Sequence, residues 1–92
     1  MSPSPLDSSV DQARGGDRAA FNRLVEAHQG LCYHVALGRL QDAEAARDAC
    51  QEAFLRAWRA MDRFQGQADG FKRWLLTILG NLCQDQLRSL HG

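Results

Sequence analysis

His28 and Cys32 stand four residues apart, a spacing that sets an imidazole and a thiol side by side on one helical face. Such a pair could supply two ligands to a metal ion such as zinc. A third and fourth ligand would have to come from Cys50, Cys83 or His91, none of them in a recognisable ligand motif, and His34 falls on a different face. A core histidine beside a core thiol is the plainer reading. Glu26, Glu44 and Glu52 are single carboxylates without an evident acid–base partner, and there is neither a nucleophile motif nor a glycine loop able to cradle phosphate. The residues therefore point away from catalysis. A different chemistry is suggested by aromatic and basic residues that interleave: Arg56, Trp58, Arg59, Arg63, Phe64, Phe71, Lys72, Arg73 and Trp74. Rings that stack on bases and cations that meet phosphates suit a groove for single-stranded nucleic acid. The same aromatics also fall on apolar helical faces, which makes core packing the competing use.

Three amphipathic segments must position these residues. From Arg18 to about Leu40, Phe21, Leu24, Val25, His28, Leu31, Cys32, Val35 and Ala36 recur in steps of three and four. Asp17 is placed as its N-cap, and Gly30 is the residue at which it could bend. Asp42 caps a second segment that runs to about Arg63. Gln65–Gly70 reads as a loop, and Asp69 or Gly70 is the expected cap of a last helix carrying Phe71, Trp74, Leu75, Ile78, Leu79, Leu82, Cys83 and Leu87 on one side. Residues 1–9 are polar and rich in Pro and Ser and read as a disordered lead-in; Val10–Arg14 has the length for a turn or two of helix before Gly15-Gly16 breaks it. No strand alternation and no repeat is present. The expected fold is all-α, a compact bundle of three principal helices with a short N-terminal helix, in one domain over residues 10–92.

The totals narrow the function classes. Ninety-two residues make one small domain. Formal net charge is zero, which argues against a strong, independent nucleic-acid binder. The charge is divided unevenly: residues 1–53 hold five Arg against eight Asp and Glu, and residues 54–92 hold six Lys and Arg against three Asp. The second half could touch phosphate while the first half faces something else. Cys32, Cys50 and Cys83 are odd in number and lack a CxxC pair, so buried thiols in a reducing compartment, the cytoplasm, are expected. The chain carries no signal-peptide pattern and no apolar run fit for membrane insertion.

The stretch Asp48–Phe64 is the most informative. Its apolar residues, among them Ala49, Ala53, Phe54, Ala57, Trp58 and Met61, share one helical face. The opposite face carries Asp48, Gln51, Glu52, Leu55, Arg56 and Arg59, acidic first and basic last. That order complements the helix macrodipole, and it would equally suit two different partners.

The residues then match a family. Gly16-Asp17-x-x-Ala20-Phe21-x-x-Leu24-Val25, Asp48-x-x-Gln51-Glu52-x-Phe54-Leu55-Arg56-Ala57-Trp58-Arg59, Phe64-x-Gly66, Trp74-Leu75-x-x-Ile78-x-x-Asn81 and Asp85-x-Leu87-Arg88 occur in that order. Together they resemble region 2 of the extracytoplasmic-function sigma factors of bacterial RNA polymerase, over residues 10–91. The resemblance implies a transcription initiation domain without cofactor or metal. It implies that Asp48, Gln51, Glu52 and Leu55 dock on the clamp-helix coiled coil of the polymerase β′ subunit. It further implies that the last helix and the loop after it recognise the −10 promoter element, whose non-template strand is melted with a base flipped into a pocket. Lys72, Arg73, Asn81 and Arg88 are the DNA candidates, with Asn81 suited to a base edge and the cations to phosphate. Phe64 and Trp74 are expected to hold that helix in place. An anti-sigma factor is a further partner that the resemblance brings with it.

The sequence departs from the family pattern in places. Arg47 stands where an acidic residue is usual, the loop carries an extra residue so that Gly70 precedes Phe71, and Leu76-Thr77 replaces a common aromatic or basic pair. Thr77 cannot make the phosphate contact of an arginine. The basic loop and the second sigma domain would lie beyond Gly92, so the chain reads as a piece of a two-domain factor or as an unusual short protein. Leu79-Gly80 before Asn81 is a further departure, and Thr77 and Gly80 keep open an alternative, a sigma-like protein-interaction module with weak or lost DNA binding.

Overall fold

The computed structural model of the chain describes residues 4–91. Four helices follow one another: α1 (Pro5–Arg14), α2 (Arg18–Leu40), α3 (Ala43–Arg59) and α4 (Ala68–His91), with a 3₁₀ turn at Met61–Arg63 between the last two. No strand occurs among the described residues. The all-α bundle expected from the spacing is the fold observed, and α2 packs against each of the other three helices.

The N-terminal helix begins earlier than its composition suggests. Residues 5–9, read above as disordered, are helical. Ser4 and Asp7 form a capping box: the Leu6 amide donates to the Ser4 hydroxyl, and the Ser4 amide donates to the Asp7 carboxylate. Pro5 occupies the first helical turn, where its missing N–H costs nothing. Residues 1–3, the rest of that expected lead-in, lie outside the described residues.

The α1–α2 corner is tight. The Gly16 amide donates to the Ala13 carbonyl and the Asp17 amide to the Gln12 carbonyl, the two bonds of a Schellman ending. Gly16 sits at φ +101°, a backbone conformation that a side chain would strain. The Asp17 carboxylate then accepts from the Ala20 amide at 3.1 Å and starts α2, as its position predicts. Gly30 does not divide α2, which runs as one helix of 23 residues. Asp42 caps α3 by accepting from the Ala45 amide at 2.9 Å. That helix stops at Arg59 rather than near Arg63, and the chain tightens into the 3₁₀ turn that buries Met61.

The start of α4 corrects another expectation. Neither Asp69 nor Gly70 caps it: the helix begins at Ala68, and the Ala68 amide donates to the carboxylate of Asp7, on α1, at 2.9 Å. The first backbone bond of the helix runs from the Phe71 amide to the Gln67 carbonyl.

The core forms where these helices meet. The inner face of α3 is Ala46, Ala49, Cys50, Ala53, Phe54 and Ala57, small side chains apart from Phe54. Against it lie Phe21, Leu24, Cys32 and Ala36 of α2 and Phe71, Leu75, Leu79 and Cys83 of α4. Phe71 is fully buried, and its ring meets those of Phe21, His28, Phe64 and Trp74 at centroid distances of 6.3, 5.3, 5.9 and 6.0 Å.

The three cysteines are free and buried. Burial, with Cys50 as a secondary influence, pushes the Cys32 thiol up to about 12. Cys50 and Cys83 are also raised, again chiefly by burial. Unfolded thiols ionise near about 8.5, so above that pH the folded chain keeps protons that the unfolded chain has lost. The stability from this source is therefore level below about pH 8.5 and falls as pH rises toward the folded value, by at most about 1.4 kcal/mol per pH unit for each thiol. Urea midpoints followed through the alkaline range should fall less steeply for Cys32→Ala than for the wild type; parallel curves would contradict the assignment.

Candidate functional site

Two surfaces carry the residues singled out from the sequence. The first is the outer face of α3. Positions 48, 51, 52 and 55 follow the i, i+3, i+4, i+7 rule and form one stripe about 100° wide. Asp48, Gln51 and Leu55 are exposed, and Leu55 is one of the few large apolar side chains left open to solvent. Glu52 is half-buried and pairs with Arg56 at 3.2 Å one turn on. An exposed pair of this kind contributes little, about 0.3–0.5 kcal/mol, so its carboxylate can exchange partners cheaply.

Beside the stripe runs an apolar groove of about 580 Å³ whose lining residues all come from α2 and α3. Phe21, Val25, Gly30 and Tyr33 line it from α2; Cys50, Gln51, Phe54, Leu55 and Trp58 line it from α3. Gln51 and Leu55 thus belong to both the stripe and the groove, whereas Asp48 and Glu52 stand outside it. A Cβ at Gly30 would meet nothing within 4 Å, so no close helix contact requires this glycine. Arg47 lies over the Tyr33 ring at 5.8 Å. Arg18 lies over the Trp58 ring at 5.9 Å. Both cations shield ring faces at the groove. Spacing along one helix revealed the stripe; the groove is shared by two helices, so spacing along either one could not show it.

The second surface is α4 with the loop before it. Lys72, Arg73, Asn81 and Arg88 are all exposed. Arg73, Asn81 and Arg88 fall within about 80° of one another around the helix, while Lys72 lies on a separate flank, about 160–180° from Asn81 and Arg88. The structure thus brings three of the four onto one polar strip. Arg88 sits 3.9 Å from Asp85, a loose exposed pair. Thr77, on the same strip, donates its hydroxyl to the Arg73 carbonyl at 3.0 Å and turns that group back on its own helix.

At the N-terminal end of α4 the Phe64 and Trp74 rings stack at 4.7 Å with an interplanar angle of 27°. Two open hollows flank them. One is lined by Arg14, Asp62, Arg63, Phe64, Gln65, Gly66 and Gln67; the other by Ala60, Arg63, Phe64, Gln65, Gly70 and Trp74. Gly66 is at φ +140°, and a Cβ there would come within 3.1 Å of the Phe64 ring. Both dihedral and space therefore require glycine.

His28 and Cys32 do not form a site of their own. The His28 Nδ1–H donates to the Leu24 carbonyl at 2.7 Å, its ring packs on Phe71, and Cys32 is buried beside it in the core. Among the described residues no group of three His, Cys, Asp or Glu is placed to hold a metal ion.

The sigma-70 region 2 family model matches residues 24–91. The chain is 38% identical over 84 residues to a probable RNA polymerase sigma factor, RfaY, of Xanthomonas campestris pv. campestris, an alignment that covers 91% of this chain and 21% of that one. It is 35% identical to the ECF RNA polymerase sigma factor BldN of Streptomyces coelicolor, covering 87% of this chain and 30% of the relative. With the ECF RNA polymerase sigma factor SigW of Bacillus subtilis it shares 33% identity, over 90% of this chain and 44% of the relative. The chain belongs to the sigma-70 region 2 family, and it is region 2 of the extracytoplasmic-function type. It spans less than half the length of these relatives.

Proposed function

We propose that this chain is the part of a cytoplasmic transcription initiation factor that docks on the β′ clamp helices of RNA polymerase and holds the melted non-template strand of the −10 promoter element. The observation that carries the reading is the stripe of Asp48, Gln51 and Leu55 beside the α2–α3 groove. A coiled coil offers a partner an apolar ridge edged by polar side chains. Leu55 and the groove supply the apolar half of such an interface, and Asp48, Gln51 and Glu52 supply its polar rim.

The DNA half of the reading is supported by Arg73, Asn81 and Arg88 on one strip of α4 and by the hollows around Phe64. Asn81 presents an amide able to pair with a base edge, and the arginines present charge to phosphate. Lys72, on its separate flank, serves a strand that passes over the start of the helix. The hollow beside the stacked Phe64–Trp74 pair offers a flipped base an aromatic border. With zero net charge, the isolated domain holds such a strand weakly and depends on polymerase to present it.

Gln51→Ala combined with Glu52→Ala should abolish binding to a β′ clamp-helix fragment while leaving the thermal melting curve in place, because neither side chain is core. Normal binding by the double variant would remove the docking assignment. Lys72→Ala with Arg73→Ala should lower affinity for single-stranded −10 DNA and reduce the slope of log K against log salt by about 1.4, the value for two phosphate contacts on a single strand. A fluorescence titration with an unchanged slope would take these two residues off the DNA surface. A wild-type chain that binds β′ but no strand would favour the interaction-module alternative.

A further inference from the structure

The loop between the 3₁₀ turn and α4 takes its shape from α1. The side chains that bond its backbone come from that helix: Arg14 donates from Nε to the Phe64 carbonyl at 2.9 Å and from a terminal guanidinium nitrogen to the Gly66 carbonyl. Asp7 accepts from the Ala68 amide. The guanidinium also lies over the Phe64 ring, 5.8 Å from its centroid. A second pair fixes Arg14 itself, since its remaining terminal nitrogen meets Asp11 at 3.0 Å. One arginine thus spans two carbonyls of a loop fifty residues away, a bridge that needs the fork of a guanidinium.

We infer that Arg14 is a positioning residue for the strand-facing loop: it holds Phe64–Gly66 in the conformation that borders the hollows, so the N-terminal helix sets how the domain discriminates among single strands. This inference rests on the DNA half of the function proposed above. Arg14 acts through the loop and not by meeting phosphate, because its donors are committed to carbonyl oxygens and to Asp11. The ammonium of lysine lacks the planar fork that fixes the two carbonyls in one geometry, so charge alone does not replace it.

The test uses the 92-residue chain and a randomised single-stranded DNA pool. Wild-type protein selects its preferred sequence, and affinities for that strand and for a scrambled one are then compared in Arg14→Ala and Arg14→Lys. Both variants are expected to lose about tenfold on the selected strand, the worth of one to two net hydrogen bonds, with scrambled-strand and β′-fragment binding within about twofold of wild type. Wild-type discrimination by Arg14→Lys would overturn the inference in favour of a simple charge contact. Equal losses on both strands and on β′ in Arg14→Lys would overturn it in favour of a general fold defect. Should the wild type enrich no sequence at all, the DNA reading itself fails and this inference falls with it; enrichment by wild type with undiminished discrimination in Arg14→Ala defeats the inference alone.

Discussion

The burial of the Phe71 ring is the constraint on which the rest of the domain depends. Phe71 sits in the first turn of α4 and is closed off from solvent by aromatic neighbours on three sides: Phe21 and His28 from α2, Phe64 from the preceding loop and Trp74 from its own helix. Edge-to-face pairs of this kind are worth roughly 0.5–1.5 kcal/mol each beyond the area they bury. They join elements that the backbone leaves independent. Phe21 in turn leans on Trp58 at 5.1 Å, which carries the aromatic chain to the groove between α2 and α3. The two surfaces assigned to two partners are therefore the two ends of one packed aromatic core.

The alanine face of α3 is the complement of that arrangement. Ala46, Ala49, Ala53 and Ala57 bring little apolar bulk of their own, and what they contribute is proximity. Close approach on the inner side leaves the outer side of α3 without intramolecular work, so Asp48, Gln51 and Leu55 stay open. A small domain buries a limited share of its surface, and an exposed leucine beside an unfilled apolar groove is a cost unless something covers it. The uneven charge of the sequence fits the same division, with the acidic part of α3 at one face and the cations of α4 at the other.

What was legible in the sequence is what single elements decide locally. The spacing of three and four residues announced α2, α3 and α4, and the carboxylates of Asp17 and Asp42 announced two helix starts because each bonds an amide three residues on. The stripe on α3 was legible for the same reason. The start of α1 was also written locally, in Ser4-Pro5-Leu6-Asp7, but the Pro and Ser content masked a capping box. What could not be read were the events that cross the chain. The cap of α4 comes from Asp7, sixty-one residues away, so a search near Asp69 and Gly70 could not find it. The groove needs two helices to exist, and Arg14 carried no sign of its loop contacts. Which DNA candidates share a face was not read from the sequence; the turn of α4 separates Lys72 from the strip that holds the others.

On the proposed function, α3 and the start of α4 meet different molecules at once. Site-specific photo-crosslinking tests this directly, with a photoreactive phenylalanine placed at Gln51 in one sample and at Lys72 in another, each mixed with core RNA polymerase and promoter DNA melted over its −10 element. The account predicts that the Gln51 probe captures the β′ subunit and the Lys72 probe captures the non-template strand. A Gln51 probe that captures DNA, or a Lys72 probe that captures only polymerase, would contradict it.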